Sequence, residues 1–163
     1  MVQTIEFRDG ALLLIDQRKL PLEETYVRCT SHLETAEAIR SMVVRGAPAI
    51  GVTAAFGMAL AAREMKGSDA PGFLQHLESA GKTLGETRPT AVNLFWAIER
   101  MKKIEPRLAD NLLAEAKKVH DQNTAMCRRI GEHGLELLRR LDQADKSIDI
   151  LTHCNAGSLA TGG

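Results

Sequence analysis

Three short segments carry the residue types from which a binding or catalytic site can be built. The first is Arg45-Gly46-Ala47-Pro48-Ala49-Ile50-Gly51. Proline is tolerated in the first turn of a helix, where its missing N–H has no intrahelical partner to lose. Pro48 therefore marks a helix start with Arg45 just ahead of it. Unsatisfied backbone N–H groups and the positive end of the helix dipole suit an anion at such a place. The competing reading is that Arg45 only caps the helix before it.

The second segment, Arg88-Pro89-Thr90-Ala91-Val92-Asn93-Leu94, repeats the theme of an arginine beside a proline at a helix start. Two such elements can converge on one phosphate, each through charge-assisted hydrogen bonds. Ordinary capping, with Arg88 in solvent, is the alternative.

The third segment runs Thr152-His153-Cys154-Asn155-Ala156-Gly157-Ser158-Leu159-Ala160-Thr161-Gly162-Gly163. Cys154 follows the β-prone run Ser147 to His153, where open α/β sheets place their ligands. A thiol there can act as acid, base or nucleophile if its pKa is tuned, and the alternative is an inert buried cysteine. Gly157 and Gly162 have P-loop spacing, but Gly163 stands where the lysine is required, so that reading fails.

The elements that must position these segments read as follows. Thr4 to Arg8 and Ala11 to Ile15 form two strands joined by Asp9-Gly10, a dipeptide suited to a tight hairpin, and Glu24 to Cys29 forms a third. Ser31 and Glu34 have capping-box spacing, which starts a helix at His32 and carries it to Val43 or Val44. The helix after Pro48, to about Lys66, is apolar almost all round and rich in alanine and glycine, so it is expected at the centre of a bundle. A short helix over Gly72 to Leu84 follows the loop Lys66 to Pro71. Another is N-capped by Thr90, and a helical stretch from Pro106 to Leu141 is expected to break between His120 and Gly134. Asp142 to Lys146 reads as a linker, and Ile148 to His153 as a strand. The fold class is α+β. An antiparallel β-meander (1–30) and a helical bundle (31–143) make the N-terminal domain, and 144–163 begin a truncated Rossmann-like domain.

Composition excludes several classes of partner. Twenty-one basic residues balance twenty-one acidic ones, so no net field draws the chain onto nucleic acid or an acidic membrane. The pairs Lys117-Lys118, Arg128-Arg129 and Arg139-Arg140 are interleaved with acids and read as a solvated helix face. Cys29, Cys127 and Cys154 are odd in number and form no CxxC pair, which fits free thiols in a reducing cytoplasm and no metal. No basic region leads into an apolar one at the N-terminus, so no secretory signal is expected. No apolar run approaches the roughly 20 residues that cross a bilayer.

Taken in order, RGAPAIG, RPTAVNLFWA and LTHCNAGSLATGG resemble the methylthioribose-1-phosphate isomerases, and the likeness covers essentially the whole chain. The broader superfamily includes ribose-1,5-bisphosphate isomerases and regulatory subunits of a translation-initiation exchange factor. The resemblance implies isomerisation of 5-methylthioribose 1-phosphate to 5-methylthioribulose 1-phosphate in methionine salvage, without cofactor or metal, by an enzyme that is usually a homodimer. It places Arg45, Gly46, Ala47 and Arg88 in substrate binding and Cys154 at the active site. It puts the family's proton-donating aspartate in a C-terminal Rossmann-like domain, so no residue here takes the acid role, and the chain alone is expected to be inactive. The rival expectation is a non-catalytic regulatory or scaffolding subunit of the same superfamily.

Overall fold

The computed structural model describes residues 3–65, 70–105, 108–141, 149–153 and 156–162. Strands β1 (Ile5–Arg8), β2 (Ala11–Ile15) and β3 (Tyr26–Cys29) form one antiparallel sheet in that order. Asp9 and Gly10 take φ of 50° and 75°, the positive pair that a two-residue hairpin of matching twist requires. The hairpin sets the register Ile5↔Leu14, and β2, the middle strand, is buried along most of its length.

Helix α1 (His32–Arg40) begins as the capping-box spacing predicts. Ser31 Oγ accepts from the Glu34 N–H at 3.1 Å, and the Glu34 carboxylate accepts from the Thr30 N–H and hydroxyl. It ends earlier than its apolar pattern suggests. Met42 turns to φ 64°, and the N–H groups of Met42 and Val43 close back on the carbonyls of Ile39 and Ala38. That double closure ends a helix by satisfying its last carbonyls.

Helix α2 (Ala47–Glu64) is the centre of the bundle, as its composition predicts: every residue from Ala49 to Ala62 is buried. It packs against α1, α3 (Ala70–Gly85), α4 (Val92–Lys102), α5 (Ala109–Leu141) and α6 (Ser158–Thr161). Close approach is made by small residues. A Cβ on Gly57 would lie 3.1 Å from both Leu84 and Thr35, side chains of α3 and α1. Phe56 of α2 stacks on Phe7 of β1, centroids 5.5 Å apart, and so seats the sheet on the bundle. Arg100 joins α4 to α5 through Glu115 at 2.6 Å, and Lys102 joins α4 to α3 through Glu78 at 2.7 Å.

Three expectations are corrected. Thr90 does not cap α4; Arg88 and Ala91 close a tight turn, Ala91 N–H to Arg88 carbonyl at 3.0 Å, which moves the N-cap to Ala91. The helical stretch to Leu141 does not break: α5 runs 33 residues, and no described residue lies within 4 Å of a Cβ at Gly131 or Gly134 to force a bend. Finally, Asp149 to His153 form no strand; Leu151 is 99% exposed, and no described strand lies alongside to accept the backbone hydrogen bonds. The linker Asp142 to Lys146 lies outside the described residues.

Candidate active site

Two helix starts form the floor. Gly46 is the N-cap of α2, with φ 97° and ψ 131°, and Pro48 sits in the first turn. Ala91 is the N-cap of α4. Among the described residues neither start has a side-chain cap or an acidic residue in its first turn; at the α4 start the Ala91 and Leu94 N–H groups are already taken by the Arg88 and Ala91 carbonyls. The two helices meet near these starts. A Cβ on Gly51 would lie 2.9 Å from the carbonyl oxygen of Asn93, so only glycine lets the backbones approach this closely.

The third segment lands on the first. A Cβ on Gly46 would lie 2.5 Å from Ala160 Cα and 2.6 Å from its carbonyl oxygen. Four side chains hold α6 there through its carbonyls. Thr4 Oγ1 donates to Ser158 at 3.3 Å, Gln17 Nε2 to Leu159 at 2.8 Å, and His120 Nε2 to Gly162 at 2.8 Å, while Asn123 donates to Thr161. The first segment thus touches both others, the third at Gly46 and the second at Gly51. Cys154 lies outside the described residues, while His153, just before it, is exposed.

Arg45 is half-buried against this junction. Its Nη2 donates to the Gln17 carbonyl at 3.3 Å, but its buried Nε has no hydrogen-bond partner among the described residues. A buried donor left unmet costs about 1–3 kcal/mol. Gln17 is the hub: its N–H donates to Val43 at 3.0 Å, its carbonyl receives Arg45, and its amide holds α6. The preceding Asp16 is buried, yet two hydrogen bonds from the Arg18 guanidinium, 2.8 and 2.7 Å, hold its carboxyl below the ordinary carboxylate range and fix this turn. Arg88 is half-buried at the turn into α4.

A groove of about 900 Å³ opens beside the helix starts, lined by Pro48 and Gly51 of α2, Asn93 and Trp96 of α4, and Met126 and Arg129 of α5. It draws on the first two sequence segments, although neither Arg45 nor Arg88 lines it. The supporting residues Gln17, His120 and Asn123 escaped the reading of the sequence. Each acts on a segment far away along the chain, and no local spacing announces them.

Cys29 and Cys127 lie elsewhere. Cys29 is fully buried at the end of β3, and burial, reinforced by the charge of Glu34, pushes its thiol up to about 11. It has the inert character expected of a core cysteine.

Comparison with known proteins finds relatives that match nearly the whole chain. The chain is 49% identical over 169 residues to a methylthioribose-1-phosphate isomerase of Trichlorobacter lovleyi, covering 99% of this chain and 47% of that protein. It is 46% identical over 170 residues to the protein of that name from Heliobacterium modesticaldum, covering 99% and 48%. The crystal structure of 5-methylthioribose 1-phosphate isomerase from Pyrococcus horikoshii superposes with a TM-score of 0.85 at 40% identity, covering 99% of this chain and 46% of that one. The translation initiation factor eIF-2B, subunit delta, from A. fulgidus superposes with a TM-score of 0.83, also at 40% identity, covering 99% and 47%. The chain thus spans about half the length of the relatives it matches. Residues 43–161, from the end of the α1 closure through α6, match the model of the initiation factor 2 subunit family, and the chain belongs to that family.

Proposed function

We propose that this chain is the N-terminal half of an aldose–ketose isomerase that converts 5-methylthioribose 1-phosphate into 5-methylthioribulose 1-phosphate in methionine salvage. The observation that supports this reading is the packing of the first segment against the other two, Gly46 against Ala160 of α6 and Gly51 against Asn93 of α4, with Arg45 beside the first of these contacts. Relatives 46–49% identical across the chain bear the isomerase name. In this proposal Arg45, Gly46, Ala47 and Arg88 bind the phosphate and sugar, and the unmet Arg45 Nε finds its acceptor in a substrate oxygen.

The reaction leaves the phosphate ester intact. The ring C1–O4 bond breaks and O4 gains a proton, the C2 hydroxyl loses one, and hydrogen passes from C2 to C1, as a proton through an enediol or as hydride. Positioned proton donors and acceptors speed such steps, and a clamp that fixes the phosphate converts binding into orientation. Cys154 is assigned to the reacting end of the sugar. Residues 144–163 then open the Rossmann-like catalytic domain, whose sheet supplies the neighbours that Asp149 to His153 lack here.

Among the described residues no helix is long and apolar enough to cross a membrane. The balanced charge and free thiols support a cytoplasmic protein that does not bind nucleic acid. Homodimer formation is supported by the apolar side chains that α5 leaves exposed, Ile130, Leu135 and Leu137 among them.

The regulatory-subunit reading is favoured by one observation, the equal identity and near-equal superposition on the archaeal initiation-factor subunit. Incubating the full-length protein with 5-methylthioribose 1-phosphate and following the C1 and C2 signals by carbon NMR separates the two. Conversion to the ketose supports the isomerase, and an unchanged substrate spectrum supports the regulatory subunit.

A further inference from the structure

The far end of α2 carries a second cluster, and it belongs to none of the three segments. Glu64, the last residue of α2, lies between two imidazoles: its Oε2 is 2.7 Å from His32 Nδ1 and 2.9 Å from His76 Nε2. Its Oε1 accepts the backbone N–H of His32 at 2.9 Å and lies 3.0 Å from the same Nδ1. The rings meet edge to face, centroids 5.1 Å apart and planes at 88°. His32 is nearly buried, while about a quarter of the His76 and Glu64 side chains reaches solvent. One ligand atom from each residue can be chosen so that all three lie within 4.8 Å of one another.

We propose that His32, Glu64 and His76 form a binding site for a divalent transition-metal ion, zinc above all. Two imidazole nitrogens and a carboxylate oxygen suit a borderline ion, whereas calcium and magnesium prefer all-oxygen shells. Three protein ligands leave a fourth tetrahedral position, and the solvent-facing side of Glu64 and His76 lets water fill it. Zinc–nitrogen bonds of about 2.0–2.1 Å put two ligand atoms on one ion roughly 3.4 Å apart, so the cluster closes around zinc by side-chain rotation alone. His32 must ligate through Nδ1 and His76 through Nε2. An imidazole ligates through one nitrogen while carrying its proton on the other.

The ion would join the first turn of α1, the last residue of α2 and the body of α3. A ligand bound only by the folded chain stabilises it. Glu64 stands roughly 25 Å along α2 from Ala47, so this site is separate from the junction at Gly46 and is independent of the isomerase reading.

The test strips the full-length protein with a chelator, desalts it, and titrates it with zinc alone by calorimetry and thermal unfolding. A single saturable site and a raised melting temperature are expected. Cobalt in place of zinc should give visible ligand-field bands without a sulfur-to-cobalt charge-transfer band. His76→Gln, checked by circular dichroism for an intact fold, should weaken zinc affinity roughly tenfold or more, and Glu64→Gln should do the same. Absence of saturable binding, unchanged affinity in both variants, or a charge-transfer band placing the ion on cysteine would each overturn the proposal.

Discussion

Gly46 and Ala160, remote in sequence, approach so closely that a methyl group on Gly46 would lie 2.5 Å from the Ala160 Cα. The contact couples the start of the central helix to the glycine-containing loop after Cys154. The obstructing atoms are backbone, so neither side can give way by a side-chain rotation.

Gly46→Ala is therefore expected to act twice. A side chain at φ 97° is strained by about 1–3 kcal/mol, and the added methyl displaces α6. The full-length variant should melt lower and lose hydrogen-exchange protection at Ala160 and Gly162, whose N–H groups bond to Gly157 and Ser158. Wild-type protection at both amides would show that the contact does not seat the loop.

Gly51 and Gly131 should respond in opposite directions to alanine. At Gly51 the new methyl meets the Asn93 carbonyl at 2.9 Å and pushes α4 away from α2, while at Gly131 no described residue lies within 4 Å. Gly131→Ala should stabilise the protein by about 0.5–1 kcal/mol through helix propensity. Gly51→Ala should destabilise it and raise the KM for substrate if the two helix starts form one site. Thermal melts and steady-state kinetics on both variants check this.

The thiol of Cys29 should stay silent in the native protein. Its pKa, raised from an ordinary value of 9.0 to about 11, means the folded chain holds the proton where the unfolded chain releases it. The resulting stability is complete below pH 9 and is lost as pH rises toward 11. Iodoacetamide at pH 8 should modify Cys29 only after unfolding, and the alkaline fall in melting temperature should be shallower in Cys29→Ala. Rapid native alkylation of Cys29 would contradict this.

Local chemistry made much of the fold legible. Asp9-Gly10 announces its hairpin, Ser31 with Glu34 its helix start, and the alanine-rich run after Pro48 its burial, because each signal depends on neighbours a few residues away. The end of α1 was not legible: Met42 adopts a conformation usually left to glycine, imposed by closure of Val43 onto Ala38. Gly131 and Gly134 were over-read as breakers, since a long helix tolerates their cost of about 1 kcal/mol each. The site was half legible. RGAPAIG and RPTAVN stand out by composition, but Gln17, His120 and Asn123 reach α6 from elsewhere in the fold. The His32–Glu64–His76 cluster likewise exists only once three helices pack.

The most direct test of the account is single-turnover and steady-state isomerisation of 5-methylthioribose 1-phosphate by the full-length protein, comparing wild type with Cys154→Ser and Cys127→Ser. The account predicts that Cys154→Ser lowers kcat by about 10²-fold or more, the usual scale for a lost acid–base group, with little change in KM because the phosphate contacts proposed for Arg45 and Arg88 are untouched. Cys127→Ser should match wild type. Turnover by Cys154→Ser within twofold or so of wild type would remove the cysteine from the chemistry and contradict the assignment.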